Sequence, residues 1–544
     1  MTTESAIVIR GCRVWNGSQF GEPATIVVDG GTVTSVVAGE DVGGVRAVDA
    51  RGLFALPGFV DGHIHPLSWS RHADNLSLGA CRSVDDILSA LQDELRNVEP
   101  GGWIHAVGVG EGRLIREGRL PNRHELDGVS RNHPIFVAGG TLAAANTSAL
   151  KLSGLMEAAD ADVEGGRIER DESAAPTGIL LGRGAIDWIR RVLPVPSAER
   201  DRETLRRFLL GLAAMGITAV VEFGSVDRET QSLEDYAVYS GLNDVGLLAT
   251  RCRVAYRMNV GGCVRDEIAN LQSKDPRELV RQDDVLRFGP FKAFTDGGVQ
   301  GALLRGDYEG RPGYRGLALL ERQDMDKLTA FAVTSDWQLS LHALGGGAID
   351  AVLASWRGSA DHVVGRRFSL QHAFDPAPTT FATCHELDVV VGVHQSLFYM
   401  YAPQMLAAWS GNVTEEINPV RSWLDSGVRV AGGSDIAPHD PLVAISSLMT
   451  RRTESGDVYG SGQAISAAEA INLLTSGAAY GNFDEHLYGG LSPGMAADIA
   501  LIDQDISTLA PEDIPTATRV ATFMNGSPTH VHETAHPSIA ALAR

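Results

Sequence analysis

Two histidines separated by a single residue, His63 and His65, lie at the end of an apolar stretch that begins near residue 57. Alternate side chains of a β-strand point to the same face, so a strand here would present Asp61, His63 and His65 together. Two imidazoles on one face can bind one zinc ion, and a nearby carboxylate can orient them by hydrogen bonding. The alternative is a pair of hydrogen-bonded histidines with a structural role, and this motif alone leaves both interpretations open.

Three more candidate ligands end later apolar stretches of the chain, namely His342, His372 and Asp435. Each offers a metal ligand or a base. Any one of them alone would be unremarkable as a structural residue. Buried polar side chains without partners are costly, however, so packing does not explain their repetition at related strand ends. The set predicts a metal centre.

Lys292 lies within the apolar stretch 288–294. One interpretation is a lysine whose stem is buried and whose ammonium group reaches outward. The other is an amine whose pKa is lowered by burial and by nearby metal charge. Such an amine can capture carbon dioxide as a carbamate, which is an anion able to bridge two metal ions. The sequence identifies the residue but not the modification.

The remaining candidates are substrate contacts. Glu222 and His394 end two of the predicted strands, and Glu222 could instead be a further metal ligand or a hydrogen-bonded structural residue. Trp69 follows the His63–His65 motif, and Phe398 and Tyr399 belong to an aromatic loop predicted after the seventh strand. Aromatic walls suit a substrate with an apolar or aromatic leaving group. Packing of the loop on the barrel, or a dimer contact, is the alternative for each aromatic residue.

Eight apolar segments must position these side chains, and amphipathic segments alternate with them. We predict helices over 199–215, 323–336 and 379–386, and a further one over 467–480. Strands that alternate with helices predict a parallel sheet, and eight such units predict a (β/α)8 TIM-like barrel with its active site at the carboxyl ends of the strands. The predicted strands end near His65, Glu222, Tyr256, Asp296, His342, His372, His394 and Asp435.

Both ends of the chain differ from this middle part. Short β-rich runs with Asp-Gly and Gly-Gly turns predict one small β-sandwich built from residues 1–56 and 490–544. The barrel then covers 57–489. The chain between the first and second predicted barrel strands is far longer than an ordinary loop between a strand and a helix, which predicts an inserted subdomain at about 70–205. We predict a helix capped by Ser83 and strands at 104–109 and 135–138 within it. We expect it to lie over the barrel mouth.

The composition of the chain argues against some classes of partner. The chain has 544 residues, 46 Lys and Arg against 68 Asp and Glu, and a formal net charge of −22. This acidic balance argues against a nucleic-acid partner. Neither a membrane-spanning run nor a signal peptide is visible, and the five cysteines are scattered. We expect a soluble cytoplasmic protein without a membrane partner.

Three further motifs are interpreted as unrelated to the chemistry. His532-Glu533-Thr534-Ala535-His536 matches a zinc-protease pattern, but Pro537 and the lack of an apolar helical face argue against the required helix. The Gly-x-Ser-x-Gly match at 490–494 contains Pro-Gly and predicts a surface turn. The glycines at 345–347 predict a tight turn in preference to a phosphate-binding loop.

The chain resembles the amidohydrolase superfamily, in the branch that contains N-substituted formamide deformylase. The resemblance covers nearly the whole chain and includes the segments 56–61, 292–297, 432–435 and 491–498. The residues that carry it occur in the order His63, His65, Lys292, His342, His372 and Asp435.

This resemblance implies a metal-dependent hydrolase of an amide C–N bond in a small molecule, acting as a homodimer with one or two zinc ions (manganese or iron being alternatives). It implies that Lys292 bridges the metals and that Asp435 transfers the proton. The other implied ligands are His63 and His65 on the more buried metal, with Asp435, and His342 and His372 on the second. The same site could act on a carbamate, ester, lactam or amino-heterocycle. A non-catalytic scaffold would be expected to lack a ligand, and a glycoside hydrolase using Glu222 would leave the strand-end histidines unexplained.

Overall fold

The computed structural model describes residues 6–39, 46–72, 74–109, 115–138, 142–158, 167–225, 232–260 and 262–543. The chain divides into two compact units. The first contains Met1–Pro66, Arg206–Gly224 and Gln231–Arg544, and the second contains Leu67–Leu205 and Ser225–Thr230. Among the described residues, none of the helices combines the length and apolar character needed to cross a bilayer.

The strands of the described residues fall into five groups along the chain: the amino-terminal strands, the first barrel strand, the strands of the second unit, the other seven barrel strands and the carboxyl-terminal strands. In chain order they are β1 (Ile7–Trp15), β2 (Phe20–Asp29), β3 (Thr32–Ala38), β4 (Arg46–Asp49) and β5 (Phe54–Pro57); β6 (Phe59–Ile64); β7 (Leu76–Ser77), β8 (Ile104–Val107), β9 (Ile135–Ala138), β10 (Leu142–Ala145), β11 (Arg167–Arg170) and β12 (Pro176–Leu181); β13 (Ile217–Glu222), β14 (Arg251–Arg257), β15 (Leu286–Phe294), β16 (Leu339–Ala343), β17 (Ser369–His372), β18 (Val390–His394) and β19 (Arg429–Gly433); and β20 (Ile499–Ile502), β21 (Arg519–Met524) and β22 (Ser527–Val531).

The eight barrel strands form one parallel sheet in the order β19-β18-β17-β16-β15-β14-β13-β6. Its first and last strands meet where the backbone N–H of Asp435 donates to the carbonyl oxygen of His63 at 2.7 Å. The parallel pairing places His342 opposite Phe294 and His394 opposite Gly433. The carboxyl ends of all eight strands therefore lie at one rim, as the (β/α)8 prediction requires.

The strands from the two chain termini join in a single sheet. Its order is β22-β21-β20-β5-β1-β2-β3, with β4 paired to β1. A bulge between Ile9 and Cys12 lets β1 pair with β4 before it and with β5 after it. Construction from both ends agrees with the sequence analysis. The sandwich form is not confirmed, because hydrogen bonds connect these strands in one sheet.

The helices of the described residues accompany the barrel strands, belong to the second unit or, for the last one, pack on the terminal sheet. In chain order they are α1 (Pro66–His72), α2 (Val84–Glu94), α3 (Arg123–Val129), α4 (Thr147–Leu152), α5 (Arg183–Arg190), α6 (Ala198–Ala214), α7 (Ser232–Asn243), α8 (Val264–Ser273), α9 (Arg322–Thr334), α10 (Gly346–Arg357), α11 (Ala360–Val363), α12 (Pro378–Glu386), α13 (Gln395–Ala408), α14 (Val420–Asp425), α15 (Pro441–Thr450), α16 (Ala467–Asn472), α17 (Ala478–Gly481) and α18 (Pro537–Ala540).

The predicted helices at 199–215, 323–336 and 379–386 match α6, α9 and α12 to within two residues at each end. The helix predicted over 467–480 is interrupted, because a π-helical turn at Leu473–Gly477 separates α16 from α17. The segment after the seventh barrel strand was predicted as a loop and is helix α13. Pro403 lies inside that helix, although proline normally ends a helix.

The second unit has its own six-stranded sheet, in the order β11-β12-β10-β9-β8-β7. Ser83 caps α2 by accepting a hydrogen bond from the N–H of Asp86, as predicted. Two apolar clusters flank the sheet, one around Leu91 and Leu126 and the other around Phe136 and Ile186. The expected place of this unit over the barrel mouth stays a prediction.

Candidate metal centre

His63 and His65 sit at the end of the first barrel strand with their Nδ1 atoms already engaged. His63 Nδ1 lies 2.9 Å from Gln371 Oε1, and His65 Nδ1 lies 2.8 Å from the Gly224 carbonyl oxygen. An oxygen acceptor requires a hydrogen on Nδ1, so Nε2 is the nitrogen available to a metal ion. Burial lowers the pKa of His65, but hydrogen bonding to Asp435 and Glu222 raises it to about 9, so a metal ion at Nε2 of His65 takes the place of a proton. Partners of this kind orient metal-binding histidines. Both side chains are therefore prepared to bind a cation through Nε2.

Asp435 is the carboxylate toward which these nitrogens point. Its Oδ1 lies 3.1 Å from His65 Nε2 and 3.6 Å from His63 Nε2, and its Oδ2 lies 4.0 Å from His372 Nδ1. Ligand atoms of His63, His372 and Asp435 lie within 4.8 Å of one another, which brings candidate ligands from the first, sixth and eighth barrel strands together. Burial would raise the pKa of Asp435, but hydrogen bonding and the charge of His65 lower it below its ordinary value. Asp435 is therefore ionised at neutral pH.

Asp61 fixes the spacing between the first and last barrel strands. Its Oδ1 accepts hydrogen bonds from the backbone N–H groups of Ser434 (2.9 Å) and His63 (3.2 Å), and its Oδ2 accepts from the Ser434 hydroxyl (2.6 Å). Gly433 is required beside it, because a Cβ atom there would lie 2.5 Å from the His63 nitrogen. The predicted orienting role of Asp61 is thus exerted on the backbone that carries His63 and Asp435.

His342 faces the same centre from the fifth barrel strand. Its Nε2 lies 3.2 Å from the Gly297 carbonyl oxygen and 3.3 Å from Asp296 Oδ1, so Nδ1 is the nitrogen that remains for a ligand. Its ring centroid is 4.3 Å from that of His372. Burial and the positive charge of Lys292 lower the pKa of His342 to about 3. Its imidazole is therefore neutral, which is the form that binds metals.

A buried polar layer under the centre was missed by the sequence analysis. The Gln371 amide donates from Nε2 to Ser340 Oγ at 3.0 Å and to Ser369 Oγ at 2.9 Å, which directs Oε1 at His63. Gly392 leaves the room for it, because a Cβ atom there would lie 2.2 Å from Gln371 Oε1. The available signal was a glutamine and two serines inside otherwise apolar barrel strands.

Lys292 is fully buried on the fourth barrel strand. Its Nζ has no hydrogen-bond partner among the described residues and lies 4.7 Å from the Phe223 ring centroid and 5.1 Å from that of Phe294. Burial and the nearby Arg257 charge lower its pKa to about 7. A substantial fraction of the side chain is therefore an unprotonated amine at neutral pH. The alternative of an ammonium group that reaches the surface does not fit this position.

Several carboxylates lie in this part of the barrel. Asp61, Glu222 and Asp296 are buried, and Asp435 is partly buried. Glu222 accepts a hydrogen bond from Tyr239 Oη at 2.6 Å, and its Oε1 lies 3.8 Å from His65 Nδ1. Several carboxylates sharing one site with oriented imidazole lone pairs favour a divalent cation, because a cation offsets their repulsion. The nitrogen and oxygen donor set suits zinc, and also manganese or iron.

Comparison with known proteins gives the family. The model of the amidohydrolase family matches residues 46–530. The chain belongs to the amidohydrolase family. This confirms the resemblance found in the sequence, and it makes the chain a member of a family of metal-dependent hydrolases.

Two curated relatives and one solved structure are similar to this amidohydrolase over most of its length. The N-substituted formamide deformylase of Arthrobacter pascens is 26% identical over 525 residues, which is 92% of this chain and 94% of the relative. Protein LONG AFTER FAR-RED 3 of Arabidopsis thaliana is 26% identical and covers 89% of this chain and 83% of its own. The crystal structure of an uncharacterised metal-dependent hydrolase from Pyrococcus horikoshii superposes with a TM-score of 0.73 at 20% identity, covering 93% of this chain and 99% of that one.

The aromatic candidates of this amidohydrolase differ in burial. Phe398 is fully buried in an apolar cluster with Met405 and Trp409, and the Arg451 guanidinium carbon lies 3.7 Å from its ring centroid. For Phe398 the structure favours packing over substrate contact. Tyr399 is half-buried on α13, and Trp69 is half-buried on α1 in the second unit. Substrate contact by these two residues stays a prediction.

The motifs set aside in the sequence analysis have structural explanations in this amidohydrolase. His532 follows β22 and His536 caps α18, so no single helix presents both imidazoles. The segment 490–494 is a turn. The N–H groups of Leu344 and Gly345 donate to the Asp296 carboxylate, and the N–H of Gly347 donates to Leu303. These glycines make a tight turn and leave no cradle for a phosphate.

Proposed function

We propose that this chain hydrolyses the C–N bond of an N-substituted formamide or a similar N-acyl amine, using a centre of one or two divalent metal ions. The observation that carries the proposal is the arrangement around Asp435, toward which Nε2 of His63 and Nε2 of His65 both point. Family membership and the similarity to a deformylase over most of both chains support the choice of an amide bond.

Two groups of residues would hold the metal. His63, His65 and Asp435 form the first, and His342 and His372 form the second, with a carbamate on Lys292 as the bridge between them. The buried, unpartnered Nζ of Lys292 supports this role, because an unprotonated amine is the form that captures carbon dioxide. Zinc is the metal we propose. When bound, such an ion lowers the pKa of water and polarises a carbonyl oxygen.

Asp435 would move the proton. An ionised carboxylate at the centre can accept a proton from the attacking water and return it to the amine nitrogen as the C–N bond breaks. Asp61 prepares it for this role by fixing the backbone at Ser434. Glu222 and Tyr399 are the proposed contacts to substrate.

A substrate panel tests the proposal. Purified chain with zinc added would be assayed on molecules that share a benzyl group and differ in the scissile bond: a formamide, an acetamide, a carbamate, an ester and a lactam, with an amino-heterocycle for comparison. We expect kcat/KM for the formamide to exceed that for each competitor by about tenfold or more, as differential transition-state binding allows. A preference for the ester or the amino-heterocycle would contradict the amide assignment and leave a hydrolase of another bond.

A cytoplasmic homodimer is the physiological form we propose. All five cysteines are free, which suits a reducing compartment. Light scattering coupled to size exclusion would measure the mass of the assembly, for which a single chain of 57.9 kDa is the reference. A monomeric mass at micromolar concentration would contradict the dimer.

A further inference from the structure

The seventh barrel strand ends in a histidine that lies between the two groups of proposed ligands. His394 is completely buried at the end of β18. Its ring centroid lies 4.3 Å from that of His63 and 4.4 Å from that of His372. Its partner in the sheet register is Gly433, two residues before Asp435. His394 thus touches one imidazole from each proposed metal group.

Neither ring nitrogen of His394 has a hydrogen-bond partner among the described residues. This separates it from its neighbours, since His63, His65 and His342 each have one nitrogen next to an oxygen acceptor. A neutral imidazole always presents one N–H and one lone pair. Leaving both unpaired in a buried site is unfavourable, so a binding partner outside the polypeptide is needed.

We infer that His394 is a metal ligand, which adds a nitrogen from the seventh barrel strand to those from strands one, five and six. The inference rests on the proposed metal centre. A direct bond to the cation would use the lone pair of His394, whose ring contacts the imidazoles of His63 and His372, two residues whose ligand atoms converge with Asp435. The competing explanation is a hydrogen bond from His394 to substrate, which would satisfy the ring only while substrate is bound.

The test measures metal binding as well as catalysis. His394→Asn would be compared with wild type and with His530→Asn, which makes the same change at a half-buried histidine in the carboxyl-terminal strand β22. Zinc affinity would be measured by competition with a chromophoric chelator. We expect His394→Asn to bind zinc at least about tenfold more weakly and His530→Asn to match wild type, since loss of even an orienting partner has effects of that size.

Unchanged zinc affinity in a folded His394→Asn protein whose kcat/KM has fallen would overturn the inference and assign His394 to substrate. A wild-type chain that binds no metal would instead refute the proposed function itself, so the two failures are distinguishable.

A second measurement needs no variant to fold. Wild-type chain labelled with 15N-histidine and loaded with cadmium-113 would be examined by NMR for one-bond cadmium–nitrogen coupling. The chain has 16 histidines. We expect coupling at five of them, namely His63, His65, His342, His372 and His394. Coupling at four or fewer, without His394, would contradict its role as a ligand.

Discussion

The two ends of the barrel differ in whether their buried polar groups have partners within the protein. Where the strands begin, Arg253 Nε donates to Asp484 Oδ2 at 2.7 Å, and Arg251 Nε donates to Asp498 Oδ2 at the same distance. Asp484 also accepts from Tyr488 Oη at 2.5 Å. Every one of these side chains is nearly or fully buried. At this end, each buried charge is neutralised by another charge within the protein.

Where the strands finish, buried polar atoms lack protein partners. Lys292 Nζ, His372 Nδ1 and both nitrogens of His394 have no hydrogen bond among the described residues. Each such atom costs about 1–3 kcal/mol of folding stability. The paired charges at the first end stabilise the fold. At the second end, the unpaired groups lower the stability of the fold but stay available to bind metal and substrate.

Asp435→Asn should have the largest effect, and it should act on catalysis. An amide cannot accept the proton from water, so we expect kcat to fall by about 10²–10⁴-fold. Thermal unfolding of the same protein should change little. Steady-state rates and calorimetry on one preparation would check both. Near-wild-type turnover would refute the proton-transfer role of Asp435. It would also refute the catalytic role assigned to the end of the barrel where the strands finish.

Asp484→Asn should have a comparably large effect of the opposite kind. Removing one partner of a buried ion pair leaves an uncompensated charge, so we expect the free energy of unfolding to fall by about 3–5 kcal/mol. Zinc content and kcat per folded molecule should stay at wild-type values. Denaturant titration with parallel metal analysis measures this. A loss of bound zinc without a loss of stability would contradict the stabilising role of the ion pairs at this end of the barrel.

Gln371→Leu should weaken metal binding without touching a ligand. His63 Nδ1 would lose its acceptor, and loss of such a partner lowers metal affinity by about 10–100-fold. Gln338→Leu is the matched control, because Gln338 donates to the carbonyl oxygens of Arg367 and Gly481 at the other end of the barrel. Chelator competition compares the two proteins. Equal zinc affinities would contradict the orienting role of Gln371.

Lys292→Met should lower metal content and raise stability. Without the bridging group we expect about one metal ion per chain in place of about two. In the metal-free state an apolar side chain replaces an unpartnered buried amine, which should stabilise the fold by about 1 kcal/mol. Elemental analysis and denaturant titration after chelation give both values. An unchanged metal count would refute the bridge.

The smallest effect is expected at the carboxyl-terminal histidines. His532 Nδ1 lies 2.8 Å from Thr534 Oγ1, and His536 Nε2 lies 3.9 Å from Asp49 Oδ2 of the terminal sheet. Neither partner belongs to the metal centre. A His532→Ala/His536→Ala double variant should therefore keep wild-type kcat/KM and zinc content. A lower kcat/KM or a lower zinc content would indicate that His532 and His536 form a metal site after all.

Much of the barrel could be predicted from the sequence, because its signals are local. Apolar segments ending in His342, His372 or Asp435 mark strand ends without any knowledge of pairing. The layer formed by Gln371 and its serines could not be predicted, since those contacts join residues about 30 positions apart on neighbouring strands. The orientation of His63 depends on that layer.

The terminal sheet shows the same limit. Its strands were predictable from β-rich runs, but whether they make one sheet or two depends on the long-range pairing of β5 with β20 and on the bulge in β1. Burial of Phe398 was equally hidden, because aromatic residues after a strand look alike whether they line a pocket or pack on Met405. Local sequence cannot separate these cases.

Stepwise removal of bound metal tests the central claim most directly. Metal content per chain and the rate of formamide hydrolysis would be measured in the same samples during dialysis against a strong chelator, and again after zinc is returned. We expect the rate to fall in proportion to the metal lost and to recover on reloading, with the Asp435→Asn protein at least about 100-fold slower throughout. A chain that hydrolyses its substrate at full rate with no bound transition metal would contradict it.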